Sequence, residues 1–184
     1  MAADGGSGAP RRPRSLRTPS PRNRLSPSPP RASRLGAMRI RPAGPEDLDA
    51  VERLGGDFAA ETGWPRRPID AAVRAALAAG TSGALRLFLA EDDAGTPIAF
   101  ASACAVTDLT DGRGAILSDV YVVPSARRTG VGRALVEAVA ADVRAAGGEW
   151  LLWHVGADAA GAQAFYRRVG AALRTELAVM SRKL

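Results

Sequence analysis

The chain is 184 residues long, 46% hydrophobic and 24% charged, with one Cys and one His. Its longest charge-free stretch, residues 94–107, holds 14 residues, short of the roughly 20 that a membrane-spanning helix needs. A single Cys excludes an internal disulfide, and one Cys with one His excludes a zinc site built from those ligands. The expectation is a soluble cytoplasmic protein with no membrane partner and no metal.

The formal charge of +6 is unevenly distributed. Residues 1–37 hold eight Arg against one Asp, together with seven of the 13 Pro and six Ser. Leu16, Leu25 and Leu35 are their large aliphatic side chains, too few to offset chain entropy, so a disordered tail is expected. It lacks the apolar core of a signal peptide, and Met38 would serve equally well as a start. Residues 38–184 hold 17 Lys and Arg against 18 Asp and Glu. The basicity therefore belongs to the tail, and nucleic acid is not the expected partner of the domain.

Regular patterning begins at Met38. Residues 38–42 read as a strand. Gly44, Pro45, Glu46 and Asp47 read as a helix start, with Pro in the first turn and carboxylates at the positive end of the dipole. Leu48, Val51, Leu54 and Phe58 follow at helical spacing. A second helix is expected from Pro68 or Ile69 to Ala79, ended by Gly80. Residues 85–91 and 98–109 are apolar runs joined by the turn residues 92–96. A further turn at 111–114 leads to a strand over 115–123, which Pro124 stops. A long helix is expected from about Gly130 to Ala146, with Val131, Leu135, Val139 and Val143 four apart. A strand over 150–155, a helix over 160–168 and one or two strands within 172–182 complete the chain. Antiparallel hairpins followed by a β-α-β unit give an α+β, or mixed α/β, domain: one twisted, mostly antiparallel sheet flanked by helices.

Chemistry concentrates in the segment that runs from Asp119 to Gly132. An apolar strand ends at Pro124, and Arg127, Arg128, Thr129, Gly130, Val131 and Gly132 then open the long helix. Backbone N–H groups at a helix start lack intrahelical partners and point outward at the positive dipole end. Gly130 and Gly132 carry no Cβ to obstruct an approaching anion, and Arg127, Arg128 and Arg133 add positive charge. A phosphate or pyrophosphate ligand is expected. The dinucleotide fingerprint fails, because Leu135 stands where its third Gly belongs and no acidic residue ends a following strand. A P-loop fails because the chain's one Lys is Lys183. No Ser stands in a G-x-S-x-G elbow.

The pattern R-x-x-G-x-G after a V-x-V-P-like strand end resembles the acetyl-CoA-binding motif of the GCN5-related N-acetyltransferase (GNAT) family. The likeness extends to the strand Trp150-Leu151-Leu152-Trp153-His154-Val155. It continues in Ala162-Gln163-Ala164-Phe165-Tyr166-Arg167-Arg168-Val169-Gly170, which is similar to the family's A-x-x-F-Y-x-x-x-G segment, and the element order agrees over residues 38–184.

The resemblance implies acetyl-CoA as cosubstrate, with its pyrophosphate on the backbone amides of Arg128, Thr129, Gly130, Val131, Gly132 and Arg133, and with Arg127 bracing the loop. It implies a pantetheine arm lying beside the backbone of Tyr121, Val122 and Val123, where family members splay two strands. An amide at Val122 or Val123 would stabilise the developing oxyanion. Tyr166 matches the tyrosine that protonates the leaving thiolate in many members. Two positions depart from the family pattern: Ala159 stands in place of a usual Asn, and Ala171 in place of a usual Phe.

The proton acceptor for the attacking amine is open between Glu61, after the first helix, and Asp119, on the cofactor strand. His154 fits a structural role as well as that of a base, Cys104 reads as inert packing in an apolar strand, and Tyr166 also fits a core aromatic. The implied activity is direct acetyl transfer to a primary amine of a small molecule, polyamine-like or an amino acid. The alternatives are a CoA-binding module without turnover and a protein N-terminal or lysine acetyltransferase. Homodimers are common in the family, but no seam is legible here.

Overall fold

The computed structural model describes residues 38–65, 68–175 and 180. The tail 1–37 and most of the segment expected to form the last strands lie outside them, and residues 172–175 form no strand. Five strands build one sheet in the order β1 (Arg39–Pro42), β2 (Leu85–Glu91), β3 (Pro97–Asp108), β4 (Gly112–Val122) and β5 (Trp150–Leu152). The first three pairings are antiparallel and β4 with β5 is parallel. The helices are α1 (Leu48–Thr62), α2 (Ala71–Ala79), α3 (Val131–Ala145) and α4 (Ala160–Arg168).

Several boundaries differ from the expected ones, each for a local reason. Residues 45–47 form a 3-10 turn and α1 begins at Leu48. The Asp47 carboxylate reaches back to the Gly44 amide at the start of this turn and accepts from both terminal nitrogens of Arg41. The second helix starts at Ala71, since the Asp70 side chain accepts from the Ala72 and Val73 amides and caps it there. The β3–β4 hairpin reaches further than expected, pairing Asp108 with Gly112. β5 is shorter, ending at Leu152 instead of Val155.

Each face of the sheet carries its own core. On one face Ala99, Ala101 and Ala103, small enough to admit a close helix, meet Val131, Leu135, Val139 and Val143 of α3. On the other, Leu87, Leu89, Phe100 and Tyr121 meet Val51 and Leu54 of α1 and Leu77 of α2. Leu54 and Leu135 are both 0% exposed. Burying each such side chain stabilises by about 1.5–3 kcal/mol, so these two helices are locked to opposite faces.

Candidate functional site

The site begins with a change of parity in β4. The Arg113 carbonyl accepts from the Glu149 amide at 2.8 Å, so Arg113 turns its polar backbone toward β5. The Val123 amide donates to the Ile98 carbonyl at 3.0 Å, so Val123 turns toward β3. Residues an even number of positions apart on a regular strand face the same neighbour, yet these two face opposite ones. The register shift between Ser102 and Ala103 supplies the reason: Ser102 pairs with Asp119, Ala103 with Leu117, and Ser118 is the extra residue. Beyond this bulge, Val120 and Val122 direct their backbone groups to the β5 side. There β5 is absent, because it pairs with Gly114, Ala115 and Ile116 alone.

The expected backbone site over Tyr121, Val122 and Val123 therefore narrows to Val122. Tyr121 faces β3, and its ring is buried among Phe58 and Phe100. Val123 is corrected as an amide donor, since Ile98 already holds its N–H.

The loop after β4 is shaped by two residues in left-handed conformation, Arg128 with φ 66° and Gly130 with φ 100°. A Cβ on Gly130 would meet nothing within 4 Å, so the requirement there is conformational and not spatial. At Gly132 a Cβ would sit at ordinary contact distance, 3.5 Å from Phe165 and 3.6 Å from Val122. Gly132 thus marks the junction of α3, α4 and the end of β4. The Thr129 hydroxyl donates to the Ala126 carbonyl at 2.5 Å and closes the turn. The first amide that the helix itself satisfies is that of Ala134, bonded to Gly130 at 3.0 Å. The amides of Val131, Gly132 and Arg133 precede it and have no intrahelical partner, while Arg128 and Arg133 are exposed beside them.

Arg127 ties this loop to its surroundings. Its Nε donates to the Val122 carbonyl at 2.9 Å, and its guanidinium lies 5.8 Å from the centre of the Tyr121 ring. A terminal nitrogen donates to Glu61 at the end of α1. The Glu61 carboxylate holds the guanidinium more firmly protonated than a free arginine. Glu61, one of the two expected proton acceptors, is thereby engaged in an ion pair.

Asp119 has a different setting. It stands on the α1/α2 face of β4, and its Oδ2 accepts from the Ser102 hydroxyl at 2.5 Å. Tyr166 projects from α4 and packs on Trp153, with ring centres 4.9 Å apart, and on Phe165 at 5.0 Å. Burial raises its phenol above the ordinary value, and the charge of Asp119 adds to the rise. A phenol so placed stays protonated at neutral pH, as a proton donor must.

The fold draws together Asp119, Val122, Tyr166 and the loop from Arg127 to Arg133, whereas Glu61 joins them through Arg127. Of the two tryptophans in the segment 150–155, Trp153 belongs to this group; Trp150 covers Gly114 and donates to the Asp111 carbonyl at 2.9 Å. His154 is exposed on the wall of a cavity of about 570 Å³ between α3, β5 and α4. The Cys104 sulfur lies 3.7 Å from the Ser118 hydroxyl oxygen. Two contributors escaped the sequence reading. Ser102 was signalled by a hydroxyl in the run Ala-Phe-Ala-Ser-Ala. Gln163 donates to the carbonyls of Gly156 and Ala157, both at 3.0 Å, and so holds the turn before α4. Among the described residues no group of three or more His, Cys, Asp or Glu is placed to hold a metal ion. No helix among them is long and apolar enough to cross a membrane.

Comparison with solved structures places the fold. An aminoglycoside acetyltransferase, meta-AAC0020, from an uncultured soil metagenomic sample, aligns with a TM-score of 0.67 at 17% identity, covering 80% of this chain and 96% of that one. The structure of AAC(6')-Iy with the bisubstrate analogue CoA-S-monomethyl-acetylneamine aligns at 0.66 and 25% identity, covering 80% and 99%. A ribosomal-protein-alanine N-acetyltransferase from Brucella melitensis biovar Abortus 2308 aligns at 0.64 and 20% identity, covering 79% and 100%. Among curated protein sequences none matches the chain. The family model described as acetyltransferase (GNAT) matches residues 53–171, a span that includes the bulged strand, the arginine-glycine loop and Tyr166. The chain belongs to this family of N-acetyltransferases.

Proposed function

We propose that the protein transfers an acetyl group from acetyl-CoA to a primary amine of a small molecule. The observation that carries this reading is the edge of β4 at Val120 and Val122, which β5 does not reach and which lies between an anion-ready loop and Tyr166. The residues present suit the cosubstrate. Amides of Val131, Gly132 and Arg133, backed by Arg128 and Arg133, match a diphosphate. The edge of β4 offers an extended arm the backbone partners that β5 does not take, and the Val122 amide is the donor for a carbonyl at its end.

Bound acetyl-CoA supplies an activated acetyl thioester. Asp119 Oδ1 accepts a proton from the incoming ammonium group, exposing the nitrogen lone pair. Tyr166 Oη holds the proton needed by a leaving sulfur. Trp153 and Phe165 pack against that phenol ring. Glu61, engaged by Arg127, serves the loop.

The test is acetyl-CoA-dependent thiol release by the full chain against polyamines, amino acids, aminoglycosides and peptides. Aminoglycosides join the panel because meta-AAC0020 is an aminoglycoside acetyltransferase. An alanine-terminated peptide joins it because of the ribosomal-protein-alanine enzyme. Release with a small amine supports the proposal. Release with peptides alone overturns its substrate class, and silence throughout overturns the activity.

A further inference from the structure

Ser102 occupies the centre of β3 within Ala99-Phe100-Ala101-Ser102-Ala103, and it is 4% exposed. Its flanking alanines are wholly buried in the core on the opposite face of the sheet. A hydroxyl removed from water is unfavourable unless it is hydrogen-bonded. Ser102 meets that requirement on one atom, Asp119 Oδ2, at 2.5 Å. The two residues are direct cross-strand partners, and the register shift of the β3–β4 pair falls immediately beside them. Asp119 therefore sits at the point where β4 turns its backbone toward the open edge.

An aspartate side chain on a strand has two rotatable bonds, and an unanchored carboxylate would sample several orientations. The Ser102 bond fixes one oxygen. It leaves Oδ1 without a hydrogen bond from the described residues and gives the carboxylate a defined second lone-pair direction. No cation is paired with this group in the described structure, in contrast to Glu61 and its partner Arg127. We infer that Ser102 is a positioning residue for acetyl transfer, holding Asp119 so that Oδ1 faces the amine whose proton it takes. This inference rests on the proposed function, in which Asp119 is the proton acceptor.

The experiment compares Ser102→Ala, Ser102→Thr and Asp119→Asn with the parent chain, with thermal unfolding as a check on folding. Ser102→Ala should lose about tenfold in kcat for acetyl transfer to the amine while keeping its KM for acetyl-CoA. Ser102→Thr retains the hydroxyl and should restore the rate. In the Asp119→Asn background, Ser102→Ala should add no further loss.

A folded Ser102→Ala variant with the parent rate overturns the inference. Equal losses in the presence and absence of the Asp119 carboxylate overturn it as well. These outcomes leave the proposed function standing as long as Asp119→Asn alone is impaired. Parent-like turnover by Asp119→Asn instead removes the proton-acceptor assignment itself.

Discussion

Arg127 and Glu61 form an ion pair that links the loop at the start of α3 to the last turn of α1. The same guanidinium holds the carbonyl of Val122, so one side chain connects the loop before α3, the end of β4 and the last turn of α1. Both partners of the pair are substantially exposed, and an exposed pair of this kind contributes about 0–1 kcal/mol. Its importance is therefore geometric.

Arg127→Ala removes the hold on Val122 together with the pair, and should raise the KM for acetyl-CoA about tenfold. Glu61→Gln removes the pair alone, and should raise it no more than about threefold. Steady-state kinetics separates the roles, since Glu61→Gln should keep kcat. A collapse of kcat would make Glu61 the proton acceptor.

The two loop glycines should respond differently to alanine. Gly130 has φ 100°, and forcing a side chain there costs about 1–2 kcal/mol and disturbs the amides that follow. Gly132 has room for a Cβ at ordinary contact distance. Calorimetric titration with acetyl-CoA should show affinity reduced about tenfold or more for Gly130→Ala, and changed by less than about threefold for Gly132→Ala.

Tyr166→Phe keeps the packing on Trp153 and removes the hydroxyl. General acid catalysis contributes about 10²–10⁴ in rate, so kcat should fall about 100-fold or more while acetyl-CoA affinity stays. Burial raises both Tyr166 and Tyr121 above the ordinary value of 10. Ultraviolet titration of the folded protein should accordingly show tyrosinate forming later than in denaturant. A raised tyrosine retains its proton in the native state longer than in the unfolded chain, so stability falls as pH rises above 10.

Asp47 gives the opposite limb. Hydrogen bonds from Arg41, and then from the Gly44 amide, hold its carboxyl below its ordinary 3.8, against the opposing effect of burial. Its contribution is present above 3.8 and is lost as pH falls through the lower native value. Asp47→Asn should destabilise the neutral protein by about 2 kcal/mol. It should also flatten the acid dependence of the urea midpoint, and an unchanged dependence would show that Asp47 does not set it.

Periodicity was enough to locate α1, α3 and the central strands, because an apolar face must recur at 3.6 or 2 residues whatever it packs against. It was weakest where a terminus depends on a partner far along the chain. Nothing near β5 signals that it stops at Leu152, and α2 begins at Ala71 through one aspartate's choice of amides. The arginine-glycine loop was legible because left-handed glycine conformation and orphan amides are local properties of a strand-to-helix turn.

Three decisions belonged to the tertiary structure. The bulge at Ser118 turns Val122 away from β3 and Val123 toward it, and it arises from how two strands count against each other. Glu61 and Asp119 were equivalent carboxylates in the sequence, until Arg127 engaged the first and Ser102 oriented the second. Tyr166 acquired its raised phenol from a tryptophan and an aspartate on other elements. Local backbone preference and hydrophobic spacing act over a few neighbouring residues and can be read along the chain. Hydrogen-bond partnership and burial depend on residues up to some 66 positions apart, and they take a value only once the strands are in register.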